Sequence, residues 1–223
     1  YQPNEELHPI KNIFKNKNEI GLPENKFIFC GFNGHHKITP NIFKAWMKIL
    51  KESDDSILWL LKENEYSEKN LKEETSSLGI DPNRLIFAEK KNMDEHLSRL
   101  KFADLFLDTF PYGAHTTCSN ALRVNLPILT LIGDSFASRV CASLLKTINM
   151  EELITNNIED YIKLAIKISK NNNYLSSLKE KMSNQVHTSN LFKSDLFTRK
   201  LEEGYVSVYK NFLAGKENLN IEL

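Results

Sequence analysis

The sequence predicts an α/β protein in which a parallel β-sheet is covered by α-helices on both faces. Five short apolar runs support this prediction, because each is followed by a segment with helical periodicity. Almost continuous apolar strands indicate burial on both faces, which is typical of parallel sheets flanked by helices. The runs span residues 27–32 (FIFCGF), 56–61 (SILWLL), 84–88 (RLIFA), 103–108 (ADLFLD) and 127–132 (PILTLI).

Capping signals indicate where the first helices begin and end. In the segment TPNIFKAWMKIL, Thr39 is the expected N-cap and Pro40 the expected first helical residue. The helix that ends near Leu78 is expected to stop at Gly79, because glycine favours a left-handed cap. Apolar residues in the first helix recur at intervals of three and four and predict one buried face: Phe43, Trp46, Met47 and Leu50.

The pattern changes to helices alone after the fifth apolar run. Segments 135–149, 158–170, 173–187 and 195–213 have helical periodicity, and no later strand is predicted. The chain is therefore expected to contain one α/β domain with a helical C-terminal tail.

Composition excludes several classes of protein. The 29 basic residues equal the 29 acidic residues, so no overall field attracts nucleic acid or an anionic membrane. The apolar runs are too short to span a membrane, and no signal peptide is visible. Cys30, Cys118 and Cys141 are few and widely spaced, which predicts buried small residues in a reducing, cytoplasmic protein. The absence of an initiator Met before Tyr1 suggests a segment of a longer protein.

Three loops that follow predicted strands carry residues with possible chemistry. Lys37 follows the first strand, His96 and Arg99 follow the third, and the fourth leads into His115, Thr116 and Thr117. Taken singly, these residues also fit a surface lysine, a solvated polar helix face and ordinary helix capping.

The fourth loop carries the strongest signal. Ligands of open parallel sheets bind beyond the carboxyl ends of the strands, where helix N-termini point their free N–H groups outward. Two threonines preceded by a histidine and a glycine-bearing loop exceed what capping requires. We expect the helix that begins at Thr116 and Thr117 to bind an anion such as a diphosphate, with a charge-assisted hydrogen bond from Lys37.

Other sites have less support. The sequence contains no G-x-G-x-x-G and no G-x-x-x-x-G-K-[ST], so a dinucleotide oxidoreductase and a P-loop NTPase are disfavoured. It also contains no Asp-x-Asp pair. His35 and His36 have no evident third ligand, and no metal site is expected. Cys118 lies near His115 in sequence but lacks an orienting third group, so it is interpreted as core.

Several segments, in this order along the chain, resemble the C-terminal half of the O-linked N-acetylglucosamine (O-GlcNAc) transferase family, including its bacterial members. The resemblance extends from about Phe27 to Phe212 and implies a GT-B fold, of which this chain would be the second Rossmann-like domain. It implies a lead-in segment over 1–26, a nucleotide-sugar-binding domain over 27–194, and a C-terminal helix and tail over 195–223. The segments include FCGFNGHHKITPNIFKAWMKIL, DPNRLIFA, EHLSRLKFADLFLDTFPYGAHTT and LPILTLIGDSFASRVCASLL.

The resemblance also implies roles for individual residues. Lys37 matches the family lysine that binds the nucleotide diphosphate and stabilises it as the leaving group. His115, Thr116 and Thr117 match the HTT motif at the phosphates.

At the other end of the nucleotide, His96 and Arg99 match residues that flank the uracil base. Asn120 lies where the family commonly has an aspartate on the ribose hydroxyls, which would alter nucleotide affinity. Met93 lies where the vertebrate enzymes have a lysine near the base, so that contact is expected to be absent.

The resulting hypothesis is an inverting protein O-glycosyltransferase that transfers N-acetylglucosamine from UDP-GlcNAc to Ser or Thr without a metal. The expected partners are a UDP-sugar, an acceptor protein, the missing N-terminal catalytic domain and tetratricopeptide (TPR) repeats, with no nucleic acid or membrane. The chain by itself is expected to bind nucleotide without turnover. The alternatives are a non-catalytic binding module, a protein O-fucosyltransferase, which tends to have TTT at residues 115–117, and an N-glucosyltransferase.

Overall fold

A computed structural model describes residues 4–216, so the first three residues of the lead-in and the end of the tail lie outside the described part. Six parallel strands form one sheet in the order β3-β2-β1-β4-β5-β6. The α/β fold predicted from the sequence is confirmed. The strands are β1 (Phe27–Gly31), β2 (Ser56–Leu61), β3 (Leu85–Ala88), β4 (Leu105–Leu107), β5 (Ile128–Leu131) and β6 (Ile154–Thr155).

Eight α-helices accompany these strands within residues 4–216. The N-cap prediction for the first helix is confirmed, since the Thr39 side chain accepts a hydrogen bond from the Ile42 N–H. Gly79 has a φ of +76°, which confirms the predicted left-handed position. The helices are α1 (Pro40–Glu52), α2 (Glu65–Ser77), α3 (Met93–Leu100), α4 (Thr116–Arg123), α5 (Phe136–Thr147), α6 (Ile158–Ser169), α7 (Asn172–Thr188) and α8 (Ser194–Leu213).

The prediction that no strand follows β5 is wrong. β6 pairs in parallel with β5, with Thr130 opposite Ile154 and Leu131 opposite Thr155. It contains only two residues, which is too short for an apolar run or an alternating pattern to be recognised. The segment after β5 therefore extends the sheet by one strand before the chain becomes helical.

The strand order places a topological switch point between β1 and β4. From β1 the chain continues outward to β2 and β3, whereas β4, β5 and β6 lie on the other side. In doubly wound sheets of this order, the crevice outside the carboxyl ends of the strands at the switch point is where ligands bind. The loops that follow β1 and β4 therefore lie beside one another at this crevice.

Residues 4–16 run along α3 and α4 without regular secondary structure. The Ile13 N–H donates to the Ser98 hydroxyl at 2.9 Å, and Lys11 pairs with Asp94 at 2.6 Å. Ser98 is buried, so this contact joins the lead-in to the core side of α3.

Helix α8 packs differently from the other helices, because none of its residues is buried. It exposes large apolar side chains, among them Tyr205, Tyr209 and Phe212. No helix among residues 4–216 is long and apolar enough to cross a membrane.

Candidate functional site

Lys37 and the loop before α4 meet at the switch point. The Lys37 ammonium donates a hydrogen bond to the Gly113 carbonyl at 3.0 Å and lies 3.8 Å from the centre of the Tyr112 ring. His115 is the N-cap residue of α4, and Gly113 lies two residues before it. The only cation of the loop after β1 is therefore in direct contact with the loop that leads to the two threonines.

Helix α4 begins at Thr116, and its first N–H groups point to this crevice. His115 makes no capping hydrogen bond with its side chain, so the explanation of the motif as ordinary capping finds no support in its geometry. The His115 ring instead contacts the Ala137 carbonyl at 3.2 Å through Nε2 and packs 5.3 Å from the ring of Tyr112. The N-terminus of α4 carries roughly half a positive charge, which favours an anion.

Burial and a buried carboxylate act in opposite directions on Lys37. Partial burial lowers the pKa of the Lys37 ammonium, and the nearby Asp108 carboxylate raises it. Lys37 forms no salt bridge with any residue of 4–216; its contacts there are a carbonyl and an aromatic face. The positive charge of Lys37 is therefore available to pair with an anionic ligand bound at the N-terminus of α4.

His96 and Arg99 form a second group, which is joined to the first through β1. The His96 ring lies 5.7 Å from the Phe32 ring, and the Arg99 guanidinium carbon lies 5.1 Å from the same ring. Phe32 is buried directly after β1 and precedes Asn33, which contacts the α4 start. Burial, together with the charge of Arg99, lowers the pKa of His96 to about 4. His96 is therefore a neutral imidazole at neutral pH.

Arg99 is placed differently from the solvated helix face that periodicity alone allowed. Only 3% of its surface is exposed, and its guanidinium lies over the rings of Phe32 and Trp59. One nitrogen donates to the Glu89 carbonyl at 2.6 Å, while Nε and Nη2 are buried without a hydrogen-bond partner in the described part of the chain. Burial accordingly lowers the pKa of Arg99. The guanidinium could reach a ligand only by leaving this stack, whereas His96 is already partly exposed.

The remaining predicted residues lie on or near α4 and α3. Thr116 is exposed, and Thr117 donates its hydroxyl to the Asn33 side-chain oxygen at 2.7 Å. Asn120 is buried one turn further along α4, with 8% of its surface exposed. Met93 begins α3 and is exposed. The Thr117 hydroxyl proton is thus already used, so the N–H groups of the helix and the exposed Thr116 hydroxyl are the donors that face an anion.

Sequence reasoning missed two residues that organise this site, Asn33 and Asp108. Asp108 is a fully buried carboxylate that follows the apolar strand β4, and Asn33 is almost fully buried after β1. Their side chains are joined by a hydrogen bond of 3.1 Å. The sequence feature that could have identified them is a charged or amide residue just after an apolar strand, because ligands bind at the carboxyl ends of parallel strands.

The described residues contain no group of three or more His, Cys, Asp or Glu side chains that could hold a metal ion. Cys30, Cys118 and Cys141 are free and buried, as the sequence predicted. Burial raises the pKa of the Cys30 and Cys141 thiols well above the usual value, so neither is an activated nucleophile.

A doubly wound sheet with a cation and a helix N-terminus at its switch point is the arrangement of α/β domains that bind anionic ligands at this edge of the sheet. The sequence matches glycosyl transferase family 41 over residues 3–201. The chain belongs to this family, and the predicted relation to the O-GlcNAc transferases is confirmed.

Similar proteins agree with this assignment. The chain is 28% identical over 207 residues to a UDP-N-acetylglucosamine–peptide N-acetylglucosaminyltransferase of Caenorhabditis elegans, covering 93% of this chain and 18% of that protein. It is 31% identical over 202 residues to the probable enzyme of this name, SEC, of Arabidopsis thaliana, covering 90% of this chain and 21% of that protein. The chain therefore spans about a fifth of the length of these relatives.

A solved structure extends the match to the fold. A lysine-to-methionine variant of the O-GlcNAc transferase of Thermobaculum terrenum superposes with a TM-score of 0.76 at 27% identity. The match covers 81% of this chain and 35% of that chain. The prediction that this chain forms one Rossmann-like half of a GT-B fold is confirmed.

Proposed function

We propose that this chain is the UDP-sugar-binding half of an inverting protein O-glycosyltransferase, which transfers N-acetylglucosamine from UDP-GlcNAc to Ser or Thr hydroxyls. The observation that carries the proposal is the contact between Lys37 and Gly113 beside the α4 N-terminus. It places one cation and one helix N-terminus at the same crevice, as a nucleotide diphosphate requires. The names of the matching relatives support the donor and the peptide acceptor.

The role of Lys37 and α4 is to stabilise the leaving group. In the transfer, the oxygen of the acceptor hydroxyl forms a bond to the anomeric carbon while the bond from that carbon to the β-phosphate oxygen breaks, and the hydroxyl proton passes to water or to a base on the acceptor side. Negative charge then accumulates on the departing UDP. The N–H groups of Thr116 and Thr117 would be fixed donors to that charge, and such donors stabilise the transition state without reorganising. The Lys37 ammonium would add its charge after turning from the Gly113 carbonyl toward the phosphate.

These donors would provide the charge compensation that a divalent ion provides in other nucleotide-sugar enzymes, so we propose that the reaction needs no metal. His115 would hold the start of α4 through its contact with Ala137. It would thereby orient the first N–H groups toward the phosphates.

We propose that the uracil base lies against His96. A neutral imidazole suits stacking on a neutral base, and the low pKa of His96 keeps it neutral. Arg99 would support His96 and Phe32 from beneath. Asn120, one turn along α4 from the threonines, would be near the ribose, with an amide in place of the carboxylate that the family commonly has there.

The rest of the proposal concerns the parent protein. The chain covers about a fifth of its matching relatives, so the acceptor site and much of the opposite cleft wall would come from an N-terminal catalytic domain, preceded by TPR repeats. We propose residues 27–194 as the nucleotide-sugar domain, with 1–26 as lead-in and 195–223 as C-terminal helix and tail. A cytoplasmic location fits the three free cysteines.

Calorimetric titration without divalent metal tests this function. Wild-type chain is titrated with UDP, UDP-GlcNAc, UDP-glucose and GDP, and binding selective for the uridine nucleotides is expected. Preference for GDP would replace the proposal with a fucosyltransferase. Binding of none of the four would contradict a nucleotide site formed by this half.

A transfer assay separates an enzyme from a binding module. The parent protein, with its N-terminal part, should transfer N-acetylglucosamine to a Ser- or Thr-containing peptide, and this chain alone should not. A parent protein that binds UDP-GlcNAc but transfers nothing to peptide would support the non-catalytic module.

A further inference from the structure

Asp108 is the acceptor around which the loop between β4 and α4 folds. Its Oδ1 accepts the N–H of Thr109 at 2.8 Å and the N–H of Ala114 at 2.7 Å. Its Oδ2 accepts the hydroxyl of Thr130 at 2.7 Å. Burial raises the pKa of the Asp108 carboxyl, and these hydrogen bonds oppose that rise. Thr109 and Ala114 lie near the two ends of the loop. Because their N–H groups bind the same oxygen, the loop closes into a ring about the Asp108 side chain.

Asn33 connects this ring to helix α4. Its amide nitrogen donates both to Asp108 Oδ1 at 3.1 Å and to the Thr109 hydroxyl at 2.9 Å. Its amide oxygen accepts the Thr117 hydroxyl at 2.7 Å. Asn33 has 1% of its surface exposed, so it cannot exchange these partners for water.

The same ring sets the position of Lys37. The Thr109 hydroxyl donates to the Tyr112 carbonyl at 2.7 Å, which fixes the residue whose ring lies under the Lys37 ammonium. The following carbonyl, of Gly113, accepts the Lys37 hydrogen bond. A Cβ at position 113 would lie 3.0 Å from Asp108 Oδ2, so any larger residue would require the buried carboxylate to shift away from the loop.

We infer that Asp108, Asn33 and Thr109 are positioning residues for the anion site. Held together by buried hydrogen bonds, they fix the Lys37 acceptor and the first turn of α4 in one geometry before ligand arrives. The inference rests on the proposed function, since it assigns these residues to the same diphosphate site. None of the three needs to touch the nucleotide, so their effect on binding passes through the loop and the helix.

UDP titration of three variants tests the inference. Thr109→Val keeps the shape of the side chain but removes the hydroxyl, which accepts from Asn33 and donates to Tyr112. Asp108→Ala removes both carboxylate oxygens, which accept from Thr109, Ala114, Asn33 and Thr130. Asp108→Asn retains one oxygen for the three N–H donors and can present its amide nitrogen to Thr130. We expect Thr109→Val and Asp108→Ala to raise the Kd for UDP about tenfold or more, and Asp108→Asn to recover part of the loss seen with Asp108→Ala.

Thr75→Val is the matched control. Thr75 is also fully buried and its hydroxyl bonds the Leu71 carbonyl at 2.7 Å, but it lies on α2 away from the crevice. Thermal unfolding of each variant is recorded beside the titration. If Thr109→Val acts only by lowering stability, it should have the same UDP affinity as a Thr75→Val protein of equal Tm. If Thr109 positions the anion site, only Thr109→Val should bind UDP more weakly.

The outcomes separate this inference from the proposed function. If the wild-type chain binds no UDP, the proposed function fails. If the wild type binds UDP and Thr109→Val binds as tightly as Thr75→Val, the inference is overturned while the function stands. Should Asp108→Ala not fold, Thr109→Val and Asp108→Asn still decide, because both preserve the volume of the side chain.

Discussion

Replacing Lys37 by alanine removes the side-chain cation that contacts the loop leading into α4. A charge-assisted hydrogen bond contributes roughly 1.5–3 kcal/mol, which corresponds to about a 10- to 150-fold change in Kd. Two structural features favour the lower part of this range. Lys37 is only half-buried, and without ligand it already bonds the Gly113 carbonyl and the Tyr112 ring, contacts it must exchange for a phosphate. We therefore expect Lys37→Ala to weaken UDP binding by about 10- to 30-fold.

Isothermal titration calorimetry of this chain with UDP, at low salt and without divalent metal, measures this change. Lys44→Ala is the control, since Lys44 is an exposed lysine of α1. Lys44→Ala should bind UDP like the wild type, and added salt should narrow the gap between the two variants because the Lys37 charge is partly exposed. If Lys37→Ala binds UDP within twofold of the Lys44→Ala control, Lys37 does not contact the diphosphate and the account of this crevice is wrong.

The other predictions concern stability and turnover. The pKa of His96 is about 4 in the folded protein, against an ordinary value of 6.5. Between these pH values the unfolded chain binds a proton that the folded chain does not. The contribution of His96 to the free energy of unfolding is therefore complete above pH 6.5 and is lost as the pH falls toward 4. It amounts to about 3 kcal/mol at most. The free energy of unfolding, measured with urea from pH 4 to 7, should change less with pH in His96→Gln than in the wild type. An unchanged pH dependence would contradict the neutral, partly buried imidazole. Tyr161→Phe removes a hydroxyl that accepts from Trp46 Nε1 at 3.1 Å and donates to the Asp108 carbonyl at 2.9 Å. Leaving these buried groups unpaired should cost about 1–3 kcal/mol of unfolding free energy, and an unchanged urea midpoint would argue against this hydrogen-bond chain. In the parent protein, Lys37→Ala should lower kcat more than it raises KM, because the charge on the leaving diphosphate grows in the transition state; near-normal turnover would remove Lys37 from that role.

Much of the fold was predictable because a parallel strand that is buried on both faces has an almost continuous run of apolar residues. Each of the five apolar runs contains the strand that the structure forms, and the ends differ by at most two residues. β6 was not predictable, since two residues paired at the sheet edge carry no period. The position of β6 is set by its pairing with β5 and by the end of the short helical turn, Glu151–Leu153, that precedes it.

The site was predictable in part for the same reason. Parallel strands end at one sheet edge, so Lys37 after β1 and Thr116 after β4 could be expected to lie near each other. The sequence could not reveal that Asn33 binds Thr117 across 84 residues of chain. It also could not reveal that Arg99 packs beneath the site, because helical periodicity gives the spacing of a side chain and not the aromatic rings against which it folds.

A crystal structure of this chain with UDP bound would show whether the diphosphate lies at the N-terminus of α4. We predict that the β-phosphate lies within hydrogen-bonding distance of the Thr116 and Thr117 N–H groups, and that the Lys37 ammonium turns from the Gly113 carbonyl toward the phosphate. The base should lie against His96. A diphosphate bound anywhere other than the crevice between the loops after β1 and β4, or one with Lys37 still on Gly113 and no phosphate contact, would contradict the account.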